Sequence, residues 1–173
     1  MNEKFTIGII VSNHFGVLNR VAGLYAKRGY NIDSLAVGET ENPEYSRMTI
    51  VSTGDEYMIE QVLRQLGKLH DVKMVLLLEK GNSVSIEHML IKLKAEDAGK
   101  ASISDLINDY GGKVMDFGGD FITAEISGSS EKIERFIDAV RGIGIIELCR
   151  SGLISIIQGT KDVFNIDNLS ELQ

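Results

Sequence analysis

The 173-residue sequence carries the same succession of patterns twice. The stretch IEQVLRQLGKLHDV, which begins at Ile59, aligns with IERFIDAVRGIGII, which begins at Ile133, at an offset of about 74 residues. In both stretches apolar residues recur with helical spacing and lead into an apolar run. An internal repeat of this kind is typical of a duplicated unit, so the chain is predicted to form two small domains of one kind.

The first half predicts the order β-α-β-β-α-β. Apolar residues alternate through FTIGIIV and then recur with helical spacing through VLNRVAGLYAK, with Gly29 as a C-terminal stop. The stretches YNIDSLAVGET and SRMTIVST are predicted strands on either side of a turn at Pro43. Residues 53–56 form a capping-box pattern that begins at Thr53 and opens a second helix, and DVKMVLLLE is the last strand.

The same order returns after residues 80–83, a candidate linker. VSIEHMLIKLKA is a predicted strand, Ser102 and Asp105 form a capping-box pattern at the next helix, and GGKVMDFG and DFITAEISG form a hairpin. A helix through IERFIDAV and a strand through IIELCRSGLISII close the unit. The predicted fold class is α+β, with two ferredoxin-like βαββαβ units at 1–79 and 84–160 and a polar tail at 161–173.

Composition restricts the partners. The net charge is -7 with a pI near 5.0, and the 18 Lys and Arg show no local basic stripe, so neither nucleic acid nor an acidic membrane is an expected partner. RNA-recognition modules share the element order but stack bases on strand aromatics, which TIGIIVS and SRMTIVST lack. No apolar run is long enough to span a membrane. The single cysteine, Cys149, is expected to be a buried small hydrophobe, and the chain is expected to be cytoplasmic.

Catalytic constellations are not found in the sequence. The three histidines, His14, His70 and His88, lie far apart along the chain, and no Cys/His cluster has the spacing of a metal site. The paired glycines in YGGK and DFGGD do not continue into a phosphate-binding loop. No catalytic residue and no metal ligand is predicted, and an enzyme with ferredoxin-like domains is the disfavoured class.

The turn before the first helix is the candidate binding site. A helix N-terminus presents unpaired N–H groups and a partial positive charge, and can therefore hold a carboxylate. Gly16 allows a ligand to approach the N–H groups of Gly16, Val17 and Leu18. Asn13 can either cap the helix or accept from a ligand ammonium, and the simpler alternative is an ordinary cap and turn.

A second asparagine, Asn31, stands at the far end of the same helix. The helix is predicted to span about 12 residues, or about 18 Å, so one small ligand cannot touch both ends. Two antiparallel copies can instead bring the turn of one chain to Asn31 of the other, with Ile32 adding apolar surface. The pattern therefore predicts a homodimer that binds a small zwitterion, such as an amino acid, at its interface.

The densest motif series gives a family resemblance. It comprises Asn13, Gly16, Leu18, Arg20-Val21, Arg28-Gly29-Tyr30-Asn31-Ile32, Ser34-Leu35 and residues 46–50 (SRMTI). This series closely resembles the amino-terminal ACT domain of the small regulatory subunits of acetohydroxyacid synthase (acetolactate synthase). The resemblance continues more loosely through the second half, where Arg150 to Gly152 also fit, and covers about residues 3 to 160.

The resemblance implies a non-catalytic subunit. Its implied partner is the large catalytic subunit, which carries thiamine diphosphate, Mg and FAD, whereas no cofactor is expected on this chain. It implies activation of that subunit and feedback inhibition by valine or another branched-chain amino acid. The implied effector site, between two ACT domains of a homodimer, comprises Asn13, Gly16, Val17, Leu18, Asn31 and Ile32. Smaller residues than Val17 occur in some relatives, and Gly38 is a further candidate lining residue. The alternative is an amino-acid-sensing ACT protein that regulates a different enzyme.

Overall fold

The computed structural model describes residues 2–96 and 99–159. They form two compact units. The first contains the described residues up to Val84 together with those from Ser155 onward, and the second is Ser85–Ile154. The predicted tail at 161–173 lies outside the described residues, and the predicted domain bounds stay predictions.

The first unit contains four strands and two helices among its described residues. They are β1 (Glu3–Ser12), α1 (Val17–Lys27), β2 (Ser34–Glu39), β3 (Tyr45–Gly54), α2 (Glu56–Leu66) and β4 (Val72–Leu77). The strands form an antiparallel sheet in the order β2-β3-β1-β4. Sequence neighbours are therefore not always sheet neighbours, and β1 lies in the middle although it comes first.

The core of the first unit lies between this sheet and its two helices. Ile7 pairs with Ile50, and Ile9 with Met48, so the alternating apolar residues of β1 and β3 share one face. Helix α1 contributes Val17, Val21 and Tyr25 to the same core, at the spacing expected for one helical face. The strand and helix periodicities read from the sequence are thus confirmed here.

Helix ends differ in part from their predicted positions. Gly29 has a φ of 67° and follows the end of α1, as the predicted stop requires. The predicted capping-box start at Thr53 is wrong, because Asp55 caps α2 and its carboxylate accepts from the Met58 N–H at 2.8 Å. Thr53 instead belongs to β3, and its hydroxyl donates to Asp33 at 2.6 Å.

The second unit repeats the architecture. Its elements are β5 (Ser83–Lys94), α3 (Lys100–Asp109), β6 (Lys113–Phe117), β7 (Phe121–Gly128), α4 (Ser130–Val140) and β8 (Ile145–Ile157). The sheet order is β6-β7-β5-β8, the same topology as in the first unit. The predicted α+β class and the two βαββαβ units are confirmed.

Two expectations for the second unit are wrong. Ser102 does not cap α3, because the helix begins at Lys100 and includes Ser102 in its first turn. Cys149 is exposed, not buried. It lies on β8, at the edge of the sheet, whereas α3 and α4 pack against β6 and β7. An apolar run on an edge strand is therefore left partly uncovered.

Candidate functional site

Asn13 ties the turn after β1 to the hairpin between β2 and β3. Its side-chain Nδ2 donates to the Pro43 carbonyl oxygen at 2.9 Å and to Glu39 Oε1 at 3.0 Å. Its backbone N–H donates to the Glu44 carbonyl oxygen at 2.7 Å. Both amide hydrogens are used in this way, and Asn13 does not cap α1, because the N-cap is Gly16 and no described side chain accepts from the N–H groups of the first turn. Its Oδ1 atom is the part suited to accept from an ammonium group.

Gly16 is the N-cap of α1 and has a left-handed backbone, with φ at 88°. No side chain caps this helix end, and its first turn contains no acidic residue. A Cβ atom added at Gly16 would have no described neighbour within 4 Å, so the space beside Gly16 is open. The left-handed angle favours glycine, and the lack of a side chain here leaves the first-turn N–H groups and the positive dipole end of α1 without a covering Cβ atom.

The apolar candidates beside Gly16 differ in exposure. The side chain of Val17 is 3% exposed and packs in the core, and its N–H donates to the His14 carbonyl oxygen at 3.5 Å. Leu18 is 41% exposed and presents apolar surface next to that mouth. Ile32, at the other end of α1, is half-buried against the core.

Asn31 is exposed beyond the C-terminal end of α1. Its Nδ2 atom donates to Asp33 Oδ1 at 2.6 Å. The Thr53 hydroxyl, which donates to Asp33 Oδ2, is the largest cause that lowers the pKa of Asp33 below its ordinary value, and the bond from Asn31 adds to it. The 11 residues of α1 extend over about 16 Å. The structure therefore does not bring Asn31 together with Asn13 and Gly16 within one chain.

The buried carboxylate of Asp71 binds residues on both sides of the Gly16 turn. Asp71, 3% exposed, accepts from the Arg20 guanidinium of α1, and its Oδ1 lies 3.0 Å from His14 Nε2. Its carbonyl oxygen accepts from the Ser12 N–H at 2.8 Å. The hydrogen bond from Arg20 is the largest cause that lowers the pKa of Asp71, and burial opposes it.

Sequence reasoning missed this Asp71 cluster. Arg20 and Asp71 are 51 positions apart, and the chain gives no local sign that they meet. The only signal available was an arginine one turn after Gly16 on the predicted helix, which would face the same end of the unit.

Among the described residues, strand β2 has a neighbour, β3, on one side only. It therefore presents one row of backbone N–H and C=O groups as a free edge. Val37 on this strand is 50% exposed, and Gly38 beside it is also exposed. An exposed edge strand with apolar side chains is suited to pair with another strand.

Of the remaining histidines, His70 directly precedes Asp71 in the chain. His88 is in the second unit, where its Nδ1 atom lies 2.5 Å from the Ser127 hydroxyl. Within residues 2–96 and 99–159, no group of three or more His, Cys, Asp and Glu side chains is placed to hold a metal ion. No helix among the described residues is long and apolar enough to cross a membrane.

The two units match two families of known proteins. Residues 7–74 match the family described as the AHAS small subunit-like ACT domain, and residues 86–159 match the family described as the small subunit of acetolactate synthase. The first unit is therefore an ACT domain, and its element order and sheet topology agree with this.

Relatives and a solved structure extend the match to nearly the whole chain. The protein described as the probable acetolactate synthase small subunit of Archaeoglobus fulgidus is 42% identical over 159 residues, which are 91% of this chain and 99% of the relative. The acetolactate synthase isozyme 3 small subunit of Escherichia coli is 37% identical over 156 residues, 90% of this chain and 96% of the relative. The crystal structure of the small subunit from Thermotoga maritima superposes with a TM-score of 0.86 at 34% identity, covering 91% of this chain and 99% of that one. This chain belongs to the acetolactate synthase small-subunit family.

Proposed function

We propose that this chain is the non-catalytic regulatory subunit of an acetolactate synthase. In this role it binds the large catalytic subunit, raises its activity and makes it sensitive to feedback inhibition by valine or another branched-chain amino acid. The proposal rests on the family and on one observation, the uncapped N-terminus of α1 behind the left-handed Gly16. Thiamine diphosphate, Mg and FAD belong, in this proposal, to the catalytic subunit.

The α1 N-terminus suits the carboxylate of a free amino acid. The N–H groups at Gly16 and Leu18, the N–H of Val17 with its long 3.5 Å bond to His14, and the positive end of the helix dipole favour an anion. No acidic side chain in the first turn opposes it. Asn13 Oδ1 is available to the ligand ammonium, because both hydrogens of its Nδ2 are directed at the β2–β3 hairpin. The exposed part of Leu18 offers apolar contact for a branched side chain.

Asn31 and Ile32 complete the site from a second copy of the chain. They stand about one helix length from Gly16, too far for the same small ligand. Pairing of the free β2 edges of two copies would make an interface in which each copy faces the other in the same way. Each dimer would then hold two equivalent effector sites.

Reconstitution tests the proposal. Purified chain is titrated into the catalytic subunit loaded with its cofactors, and acetolactate formation is followed with and without valine, leucine or isoleucine. We expect stimulation by the chain and its reversal by a branched-chain amino acid. No stimulation, together with amino-acid binding by the free chain, would support the alternative of an ACT-domain regulator of a different enzyme. Acetolactate formation by the chain alone would contradict its non-catalytic role.

A further inference from the structure

An open groove of about 750 Å³ lies in the first unit between α1 and the end of α2. Among the residues that line it are Arg20, Gly23 and Lys27 of α1, its C-cap Arg28, Gln65 of α2 and Leu69 beyond the end of α2. This α1–α2 groove runs along the helix and is separate from the helix mouth at Gly16, which does not line it.

The charge of the groove is opposite to that of the chain. The net charge is -7, yet the sequence from Val11 to Asn31 contains three Lys and Arg residues and no Asp or Glu. The three cations of this segment all line the groove. Arg20 is neutralised by Asp71. Within residues 2–96 and 99–159 no carboxylate pairs with Lys27 or Arg28, so these two carry the positive charge of the groove.

Gly23 leaves the middle of the groove open. It lies in the interior of α1, where glycine is less favourable than alanine because it loses more backbone entropy on folding. A Cβ atom added there would meet no atom of the described structure within 4 Å, so packing within the unit does not require glycine. A glycine that packing within the unit does not require is typical of a surface that another molecule approaches closely.

The dipole of α1 offers a different account of the two cations. Lys27 is in the last turn and Arg28 is the C-cap, where positive charge stabilises a helix. The dipole does not explain a helix-weakening glycine one turn earlier on the same groove. The two accounts also differ in what charge reversal at Lys27 and Arg28 should lower. The dipole account predicts a loss of stability, and the docking account predicts a loss of affinity for the partner.

We propose that the α1–α2 groove is a docking surface for an acidic segment of the catalytic subunit. Asp or Glu side chains of that segment pair with Lys27 and Arg28, and a side chain between them rests on Gly23 and against Leu69. The occupant is argued from charge complementarity, since the chain as a whole is acidic while this groove carries two cations that no described carboxylate pairs with. The identity of the partner rests on the proposed function, whereas the groove and its charge do not.

The test measures the affinity of the full chain for the cofactor-loaded catalytic subunit at several salt concentrations. The variant Lys27→Glu/Arg28→Glu should bind at least about tenfold more weakly, with a flatter dependence on salt, because two attractive contacts become repulsive. The matched control is Lys113→Glu/Arg135→Glu, which makes the same change in net charge on exposed residues of the second unit. It should bind within about twofold of the unmodified chain.

A second variant separates docking from folding. Gly23→Leu fills the groove with a side chain that favours helix and meets no internal atom at Cβ, so the chain should stay folded. We expect its affinity for the catalytic subunit to fall about tenfold while its thermal midpoint stays the same or rises.

The outcomes distinguish the two proposals. If the unmodified chain does not bind the catalytic subunit, the proposed function fails and this docking surface fails with it. If the unmodified chain binds and both groove variants bind equally well, only the docking surface is overturned. It is also overturned if the control weakens binding as much as Lys27→Glu/Arg28→Glu does. A third contradicting result is that the chain binds duplex DNA in a direct assay and loses that binding in Lys27→Glu/Arg28→Glu.

Discussion

At the scale of single residues, Gly16 and Asp71 define the candidate site from opposite sides. Gly16 opens the end of α1 to a ligand. Asp71 fixes the turn that contains Gly16, because it binds the side chains of Arg20 and His14 and the backbone N–H of Ser12. A left-handed, uncapped helix start is therefore rigidly placed, which lowers the entropy lost when a ligand orders it.

Gly16→Asp should abolish sensitivity to valine while the stimulation of the catalytic subunit remains. A carboxylate here would occupy the anion site and repel the carboxylate of the ligand. Like charges about 4 Å apart repel by about 1 to 4 kcal/mol, so the affinity for valine should fall by a factor of about 5 to 1,000. Calorimetry on the free chain measures this. Gly16→Asn is the matched neutral control and should lose less affinity for valine. Normal inhibition by valine in the Asp variant would show that the site is elsewhere.

Asn31→Ala should weaken the binding of valine by about 1 to 3 kcal/mol, because a charged group of the ligand loses its hydrogen-bond partner in a closed interface. The same substitution removes the bond from Asn31 to Asp33, which is exposed and matters little to stability. Thermal unfolding without ligand should therefore be nearly unchanged. An unaltered calorimetric affinity would remove Asn31 from the site.

Asp71 should make stability depend on acid pH. Its folded pKa lies below the ordinary value of 3.8, so the unfolded chain binds the proton more readily. The stabilisation is present above the unfolded pKa and is lost as the pH falls through the folded pKa. Asp71→Asn should have a lower free energy of unfolding than the unmodified chain at pH 7, and the difference between the two should narrow below about pH 4. Urea unfolding at a series of pH values measures this difference.

The matched control for this prediction is Asp105→Asn, on the exposed face of α3, which should change stability by less than about 0.5 kcal/mol at every pH. A gap between the unmodified chain and Asp71→Asn that is constant from pH 7 to pH 3 would show that the ion cluster does not provide the acid dependence.

At the scale of elements, α1 serves two surfaces at once. Its buried stripe of Val17, Val21 and Tyr25 holds it on the sheet, its N-terminus faces the candidate effector site, and its outer side with Gly23 lines the α1–α2 groove. The stripe is strongly specified by packing. On the outer side Arg20 is held by Asp71, whereas Gly23 would meet no described atom at a Cβ position and no described carboxylate pairs with Lys27 or Arg28, so these three positions are the ones that packing within the unit does not explain.

Gly23→Ala should raise the free energy of unfolding by about 0.5 to 1 kcal/mol, since alanine loses less backbone entropy in a helix interior and its Cβ atom would meet nothing. Urea denaturation of the free chain measures the change, with Gly119→Ala, in a loop of the second unit, as the comparison. A loss of stability would mean that Gly23 has a packing role within the unit after all.

At the scale of the whole molecule, the effector site should need two chains. Helix length separates Gly16 from Asn31, and β2 offers a free edge through which copies can pair. The two compact units repeat one architecture, but the residues of the helix mouth belong only to the first. The second unit has Gly99 and Lys100 at the start of α3, without a left-handed N-cap.

Mixed dimers test this arrangement. Gly16→Asp and Asn31→Ala chains should each bind valine poorly, but unfolding and refolding them together should restore some tight sites. In a mixed dimer one site receives both substitutions and the other receives neither, because each site takes its turn from one chain and Asn31 from the other. Calorimetric titration counts the restored sites. No restoration in dimers shown to be mixed would mean that each chain forms its site alone.

The sequence by itself determined the element order, the fold class and the family. Strand and helix periods depend on residues two to four positions apart, so patterns such as FTIGIIV and IERFIDAV are readable without knowing what they pack against. The same holds for Gly16 and Gly29, whose roles follow from the backbone angles that a turn and a helix end require. Helix starts were less readable, because Asp55 and Thr53 are both good caps and tertiary contacts decided between them.

Only the tertiary structure decided which polar groups meet. The side-chain amide of Asn13 donates to Glu39 and to the Pro43 carbonyl oxygen, and the Asp71 carboxylate binds Arg20 and His14, which are distant in sequence. Edge position, too, left Cys149 exposed despite its apolar surroundings in sequence. These outcomes depend on sheet order and on contacts between residues 26 to 57 positions apart, which no local pattern encodes. The physical reason is that hydrogen bonds and burial are set by distance in space, whereas periodicity is set by distance along the chain.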